Sequence, residues 1–384
     1  MKLHRIVPVF VALAAGVAPS LPAQSSLSAI WGSGPNDIWA VGDGSAAVHW
    51  DGRSWTAVPF GVELVAGLNA IWGSGPRDVF VVGGGGVILH FDGTSWARMT
   101  SPVDAELIAV SGRGSRDVYA VAQSDNDQVA AQLLHYDGNA WSAAALPFPF
   151  RATGLVIASG EPVVAGFLYF DPQPKERRQA GVVARWSGGR WTTSGWDGQR
   201  IADTVTGASG WTRLSAAAGA LLMLGQHEDG SQVVAMRGVN GGWTLLPASP
   251  PDRPESRIRH LALAGDTPVA LYEGPSFARF AGGRWVTVNG QERLMQILRG
   301  QQQSGMSDAQ TQQMMMQLGA RMAAYDMSRA NALWGPSGAD FYVAMDGGRV
   351  VHVTGDEAAI VYDASCADST MAAMSPICQA LRRK

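Results

Sequence analysis

Apolar and polar positions alternate in short runs along this chain, and the runs recur in a fixed order. Residues 68–100 show that order: "LNAIWG" (68–73), "DVFVVG" (78–83), "VILHFDG" (87–93) and "WARMT" (96–100). Each run is rich in β-branched and aromatic residues and ends at turn residues, the pattern of a short strand. The four predicted strands are labelled A to D. "GSGP" links A to B. The pair "DG" turns C into D, where glycine supplies a positive φ. Residues 30–55, "IWGSGPNDIWAVGDGSAAVHWDGRSW", nearly repeat residues 71–96, "IWGSGPRDVFVVGGGGVILHFDGTSW".

The repeat continues in weaker form. Its marker is a Gly-containing turn closed by Trp: "HWDGRSW" (49–55), "HFDGTSW" (90–96), "HYDGNAW" (135–141), "RWSGGRW" (185–191), "RGVNGGW" (237–243) and "RFAGGRW" (279–285). Successive closing Trp residues are 41, 45, 50, 52 and 42 positions apart. A seventh copy, "ALWGPSGADFYVAMDGGRVVHVTGD" (332–356), keeps His and Gly and lacks the Trp. A lone four-stranded sheet leaves two apolar faces bare, and stacking sheets around a ring buries both. The prediction is an all-β, seven-bladed β-propeller of four-stranded antiparallel blades over residues 24–363. The chain starts with strand A and ends with strand D, so closure is expected from blade 1 packing on blade 7, without a shared blade.

Copies one and two resemble the WGSGPxDVWAVG-type repeats of secreted bacterial β-propeller proteins. They are also similar to tectonin and Kelch repeats in their Gly, Trp and turn pattern. The resemblance spans residues 27–363 apart from one insertion; it is strong in blades 1, 2 and 7 and weak in blades 4 to 6, leaving open whether blades 5 and 6 are complete. It implies a scaffold fold and names no ligand.

Residues 289–330 break the β pattern. "QERLMQILRGQQQ" (291–303) predicts one helix, and the capping box "SDAQ" (307–310), with Ser307 as N-cap and Gln310 at N3, starts a second. Met315, Leu318, Met322 and Tyr325 follow at helical spacing and form an apolar face. Seven of the 14 Met fall in this tract. The hairpin is expected either to pack on the propeller and cover the channel mouth or to present a Met-rich surface to a partner. The tail, 364–384, holds the only two cysteines, Cys366 and Cys378. They are read as one disulfide, with free thiols as the alternative. Such a bridge is expected to pin the seam between first and last blades.

Composition narrows the classes. Charged residues are 16% of the chain and the formal net charge is −3. The sequence pI near 6.2 excludes a nucleic-acid footprint and a polybasic membrane patch. "MKLHRIVPVFVALAAGVAPSLPAQ" (1–24) has a basic start, an apolar run and small residues, the pattern of a secretory signal. Cleavage is expected after Ala23, or alternatively after Ser20, giving a secreted or periplasmic chain without a membrane span. The alternative is an uncleaved anchor.

Candidate chemistry is sparse. His49, His90, His135 and His352 share one repeat phase, and Asp37, Asp78, Asp117 and Asp340 share another in the same blades; Arg185, Arg237 and Arg279 take the His phase in blades 4 to 6. A catalytic or metal ring is one reading. Local Asp–His hydrogen bonds are the favoured one, because in-phase copies point around a ring rather than at one place. The "DG" aspartates are read as turn residues. The D–A and B–C loops vary in length, the A–B and C–D turns do not, and binding sits on variable loops of rigid scaffolds. Trp196 and Trp211 lie outside the Trp repeat phases in one D–A segment, with Asp197, Arg200 and Asp203 nearby. That set is the candidate ligand site, for sugar or peptide. The basic run "KERR" (175–178) is read as a solvated loop.

No nucleophile elbow, zinc motif or phosphate loop is present, and no cofactor or metal is expected. The turns lack sialidase Asp-box spacing, and no paired glycosidase carboxylates stand out. The expected function is a non-enzymatic monomeric binding scaffold for a glycan or for an envelope or extracellular protein. The alternatives are an envelope-assembly component docking through the Met-rich insertion and, third, a sialidase-like hydrolase.

Overall fold

The structure, a computed structural model, describes residues 25–381 apart from 63, 65, 125, 127, 128, 174, 175, 195–209, 218, 228, 238–242, 251–255, 302–307 and 368–374. The chain forms seven four-stranded antiparallel sheets, each made of four consecutive strands. Blade 1 is β1 (Leu27–Gly34), β2 (Asp37–Gly42), β3 (Ala47–Trp50) and β4 (Trp55–Ala57); blade 7 is β25 (Ala330–Ser337) to β28 (Glu357–Asp363). Blades 5 and 6, the weakest repeats, each have all four strands. No sheet takes strands from both chain ends, so the ring closes by contacts between blades 7 and 1 and not by strand pairing.

Seven apolar clusters among the described residues each bridge one pair of neighbouring blades. The closing cluster joins Leu27, Ile30, Ile38 and Val48 of blade 1 to Tyr342, Ala344 and Val350 of blade 7. The recurrent "WG" of strand A explains the fit. A Cβ on Gly73 would lie 2.6 Å from the Trp31 ring, one on Gly112 2.6 Å from Trp72, and one on Gly32 2.7 Å from Trp334. Each indole thus occupies the space that a side chain on the next blade's glycine would need. The joint from blade 7 to blade 1 has the same form as those from 1 to 2 and from 2 to 3.

The "DG" turns are built on their aspartates. Asp51 Oδ1 accepts from the backbone N–H groups of Arg53 and Ser54, both at 2.8 Å, and Gly52 takes φ 87°. Asp92 and Asp137 make the same pair of bonds. Strand A also carries a regular irregularity: in all seven blades its pairing with strand B skips one residue, a bulge at Ser28, Asn69, Ile108, Thr153, Thr212, Arg259 and Asn331.

The insertion between blades 6 and 7 is helical: α1 (Gly290–Gln301) and α2 (Asp308–Tyr325). Ser307, expected as the N-cap, lies outside the described residues. α2 packs on β28, the outermost strand of blade 7, and on a C-terminal helix, α3 (Pro376–Leu381). The hairpin therefore sits on the rim, not over the strands that line the channel. Tyr325 and Leu318 are buried, with the Tyr325 hydroxyl donating to Asp356 O at 2.6 Å. Met315 and Met322 are exposed at 60% and 43%, so the expected apolar face is only half covered.

Cys366 and Cys378 form a disulfide, with Cα atoms 5.2 Å apart. It ties α3, whose Ile377 and Leu381 pack on the blade 6–7 cluster, to the end of blade 7. The segment that carries Cys366 also meets the closing seam, where Ala364 belongs to the cluster shared by blades 7 and 1.

Candidate functional site

Strand register separates the two faces of the ring. Strand A pairs its end with the start of strand B (Gly34 with Asp37), so A–B turns share a face with C–D turns. The start of strand A pairs with the end of strand B (Leu27 with Gly42), which puts D–A and B–C loops on the opposite face.

The A–B/C–D face is locked by side-chain bonds inside single blades. His49 Nε2 lies 2.7 Å from Asp37 Oδ1, His90 2.7 Å from Asp78, His135 2.9 Å from Asp117 and His352 2.7 Å from Asp340. Each imidazole stacks on the aromatic ring two residues after its aspartate: Trp39, Phe80, Tyr119 or Tyr342, with centroids 3.7–4.4 Å apart. Asp37 also accepts from Ser33 Oγ and Trp39 Nε1. Burial pushes the Asp37 carboxyl up, but bonds from His49, Ser33 and Trp39 outweigh it and hold its pKa below the ordinary value. These carboxylates are used up by their own blades.

In blade 4 the same places hold Glu161 and Arg185, joined at 3.2 Å, a carboxylate partner that the search for Asp missed. In blade 6 Arg279 pairs instead with Asp356 of blade 7. In blade 5 the count of six residues back from Trp fails. Arg237 pairs with Trp243, where blade 1 has Trp50 with Trp55, so Met236 holds the His position. Among the described residues no cluster of His, Cys, Asp and Glu is placed to hold a metal ion.

The D–A/B–C face holds a cavity of about 350 Å³ at the seam of blades 7 and 1, lined by Ser26, Arg329, Asp346, Arg349, Asp363 and Ser365. Asp346 accepts from Ser26 Oγ at 2.6 Å and Asn331 Nδ2 at 2.7 Å, with Arg329 Nε at 3.7 Å. Burial raises its pKa, and the bonds from Asn331 and Ser26 with the charges of Arg329 and Arg259 bring it below the ordinary value. Arg349 Nε meets the buried Asp363 carboxylate at 2.7 Å. Arg329 is left the most open charge, 61% exposed.

Around the channel mouth, bulge residues reach across to the next blade. Asn69 donates to Leu107 O at 3.0 Å, Thr153 to Trp211 O at 2.7 Å, Arg259 to Ala330 O at 3.3 Å and Asn331 to Leu27 O at 3.1 Å. Each acceptor is the residue just before the bulge of the following strand A. The bulges thus aim polar side chains along the ring on the D–A/B–C face.

Of the candidate ligand set, Trp196, Asp197, Arg200 and Asp203 lie outside the described residues. Trp211 is 4% exposed and belongs to the core between blades 4 and 5. It holds the strand-A position of Leu27, Leu68 and Leu107, so it is a repeat-phase core residue and not an exposed aromatic. For "KERR", residue 175 and the side chains of 176–178 also lie outside what is described. The seam cavity and channel-mouth residues carried no motif; their only signal is polarity at a repeat phase held elsewhere by apolar or small residues.

No protein family model matches the chain, and no curated protein matches it. Solved structures do. "YCF48 bound to D1 peptide" is similar with a TM-score of 0.56 at 13% identity, over 88% of this chain and 96% of that one. "YCF48 from Cyanidioschyzon merolae" gives 0.54 at 15%, over 87% and 97%. The WD40 β-propeller domain of Doa1 gives 0.53 at 9%, over 87% and 93%. At such identities the likeness is one of architecture, and on that ground the chain is a seven-bladed, WD40-like β-propeller.

Proposed function

We propose that this chain is a non-enzymatic scaffold of the secreted or periplasmic space that binds a polypeptide partner on its D–A/B–C face. The carrying observation is the seam cavity, which gathers Arg329, Asp346 and Arg349 at a concave site on that face. The opposite face spends its carboxylates on internal bonds to His, Ser, Trp and Arg. A propeller of similar architecture holding a peptide lends support. The N-terminal signal pattern, the resemblance to secreted bacterial repeats and the disulfide favour an oxidising compartment. Among the described residues no helix is long and apolar enough to cross a membrane. A glycan ligand is the weaker form of this reading, because Trp211 offers no exposed ring.

The test is panning of displayed peptides against the purified chain. Selected peptides should bind Arg329→Glu roughly tenfold or more weakly, about 1.4 kcal/mol. They should bind Arg53→Glu, a change in a C–D turn of the other face, as they bind wild type. The opposite pattern, or no peptide enriched while a glycan array binds, sinks the proposal.

The exposure of Met295, Met315 and Met322 on the insertion favours a second reading, docking to an envelope assembly through those helices. An envelope protein retained by wild type and lost on Met315→Glu, Met322→Glu would support it; equal retention would remove it.

A further inference from the structure

The strand-A position two residues after Leu27 and its equivalents is held by small residues in five blades: Ala29, Ala70, Ala109, Gly154 and Ala332. Blades 5 and 6 put Arg213 and His260 there, beside Arg259 at the bulge. An arginine in a slot held elsewhere by alanine must extend outward, and Arg213 is exposed, as is Arg259 at the bulge. Arg259 Nε is engaged by Ala330 O, which orients the rest of its guanidinium. No carboxylate among the described residues pairs with Arg213.

The charges here are one-sided. Burial and the like charge of Arg259 push Arg213 below its ordinary pKa. Burial, with both arginines, pushes His260 well below its own. His260 Nδ1 is buried and has no hydrogen-bond partner among the described residues. The site thus gathers two like-charged guanidinium groups near the buried His260 imidazole, and Arg259 also feels Asp346, whose carboxylate is already held by Ser26 and Asn331. Two like charges held close together without a paired anion repel one another, and a bound anion relieves that repulsion.

We propose that Arg213 and Arg259 form a carboxylate site at the channel mouth, and that it takes an aspartate, glutamate or chain-end carboxylate of a polypeptide. This rests on the peptide-binding reading of the D–A/B–C face. Guanidinium forks match the planar, two-oxygen face of a carboxylate. Asp346 and the net negative charge of the chain disfavour a polyanion, which would bring many charges at once. An acidic sugar needs an aromatic platform beside its charge, and Trp211 below Arg213 is buried.

Two measurements test this. The first is the thermal midpoint of the full chain with glutarate against chloride at equal ionic strength. Glutarate should raise the midpoint of wild type and leave Arg213→Gln and Arg259→Gln unmoved, with near-ultraviolet circular dichroism confirming that both variants fold. Arg213→Lys, which keeps the charge and loses the fork, should show a reduced rise. No rise in wild type, or an equal rise in the Gln variants, overturns the site whatever binds elsewhere on the face. The second is an array of acidic hexapeptides beside their amide counterparts, with galacturonate oligomers as competitor. Acidic members should bind roughly tenfold or more tightly than the amides, and the advantage should vanish in both Gln variants. Peptide binding indifferent to these arginines and lost in Arg329→Glu overturns the carboxylate site while the face reading survives. Galacturonate binding through the arginines with no acidic peptide bound overturns the polypeptide assignment.

Discussion

The indole of Trp334, in the last blade, lies where a side chain on Gly32, in the first, would have to go. It is one of the contacts that close the ring, beside the apolar cluster and the Asn331–Leu27 bond of the same seam. Gly32→Ala would place its Cβ 2.7 Å from the ring and 2.8 Å from Asp37 O. The expected cost is about 1–3 kcal/mol by overpacking. Trp334→Ala should cost about 2–3 kcal/mol, below the fully buried value because the residue is half-buried. Urea denaturation of both single variants and the double checks it; additive losses would mean that the two residues do not share a contact.

Removing one Asp–His pair should be felt only within its blade. Asp37→Ala leaves His49, Ser33 and Trp39 Nε1 without their shared acceptor, for an expected loss of about 2 kcal/mol. Combining it with Asp340→Ala tests the neighbouring blade and with Asp117→Ala a blade two away. The latter pair should be additive within about 0.5 kcal/mol. Strong coupling there would point to one shared structure.

Acid should loosen the ring through its depressed carboxylates. Asp37, Asp117 and Asp346 all have folded pKa values below 3.8. Their contribution is fully present above that unfolded value and is lost as pH falls through the lower folded ones. Thermal midpoints measured from pH 5 down to about pH 2 should therefore fall, and the fall should be shallower in Asp346→Asn. An unchanged slope in that variant would remove Asp346 from the account.

Reduction of the disulfide should act on the rim. Cys366→Ser with Cys378→Ser is expected to cost about 2–3 kcal/mol for a short closed loop. Amide exchange should quicken in α3 and in the adjoining parts of α2 and β28, and stay slow in β1 and β25. Rapid exchange at Leu27 or Ala330 would instead give the bridge a role at the closing seam.

The fold was legible because its constraints fall on rare residues at fixed spacing. Trp–Gly contacts, Asp–Gly turns and Asp–His bonds each need particular side chains, so blades 1, 2, 3 and 7 announce themselves. Blade 5 was harder to phase, because its C–D turn is one residue longer by register and shifts Arg237 away from the His position. The binding face was less legible. Trp211 stood out by falling outside the Trp phases, yet it fills a leucine position of strand A. Arg213 and Arg259 mark no motif. They matter only because the packing of blade 5 on blade 6 brings their innermost strands together, at positions where other blades carry small or neutral residues, and a bulge shifts the count by one.

Counted around the ring rather than along the chain, the four regular blades are contiguous, 7, 1, 2 and 3, with blades 4 to 6 completing the circle. The chain ends thus fall inside the regular arc, at one of three like Trp-on-Gly joints. Those joints are interchangeable break points. A circular permutant opened between blades 1 and 2 would have the same type of contact left to close, while its irregular arc, with the arginines of the channel mouth, would remain uncut.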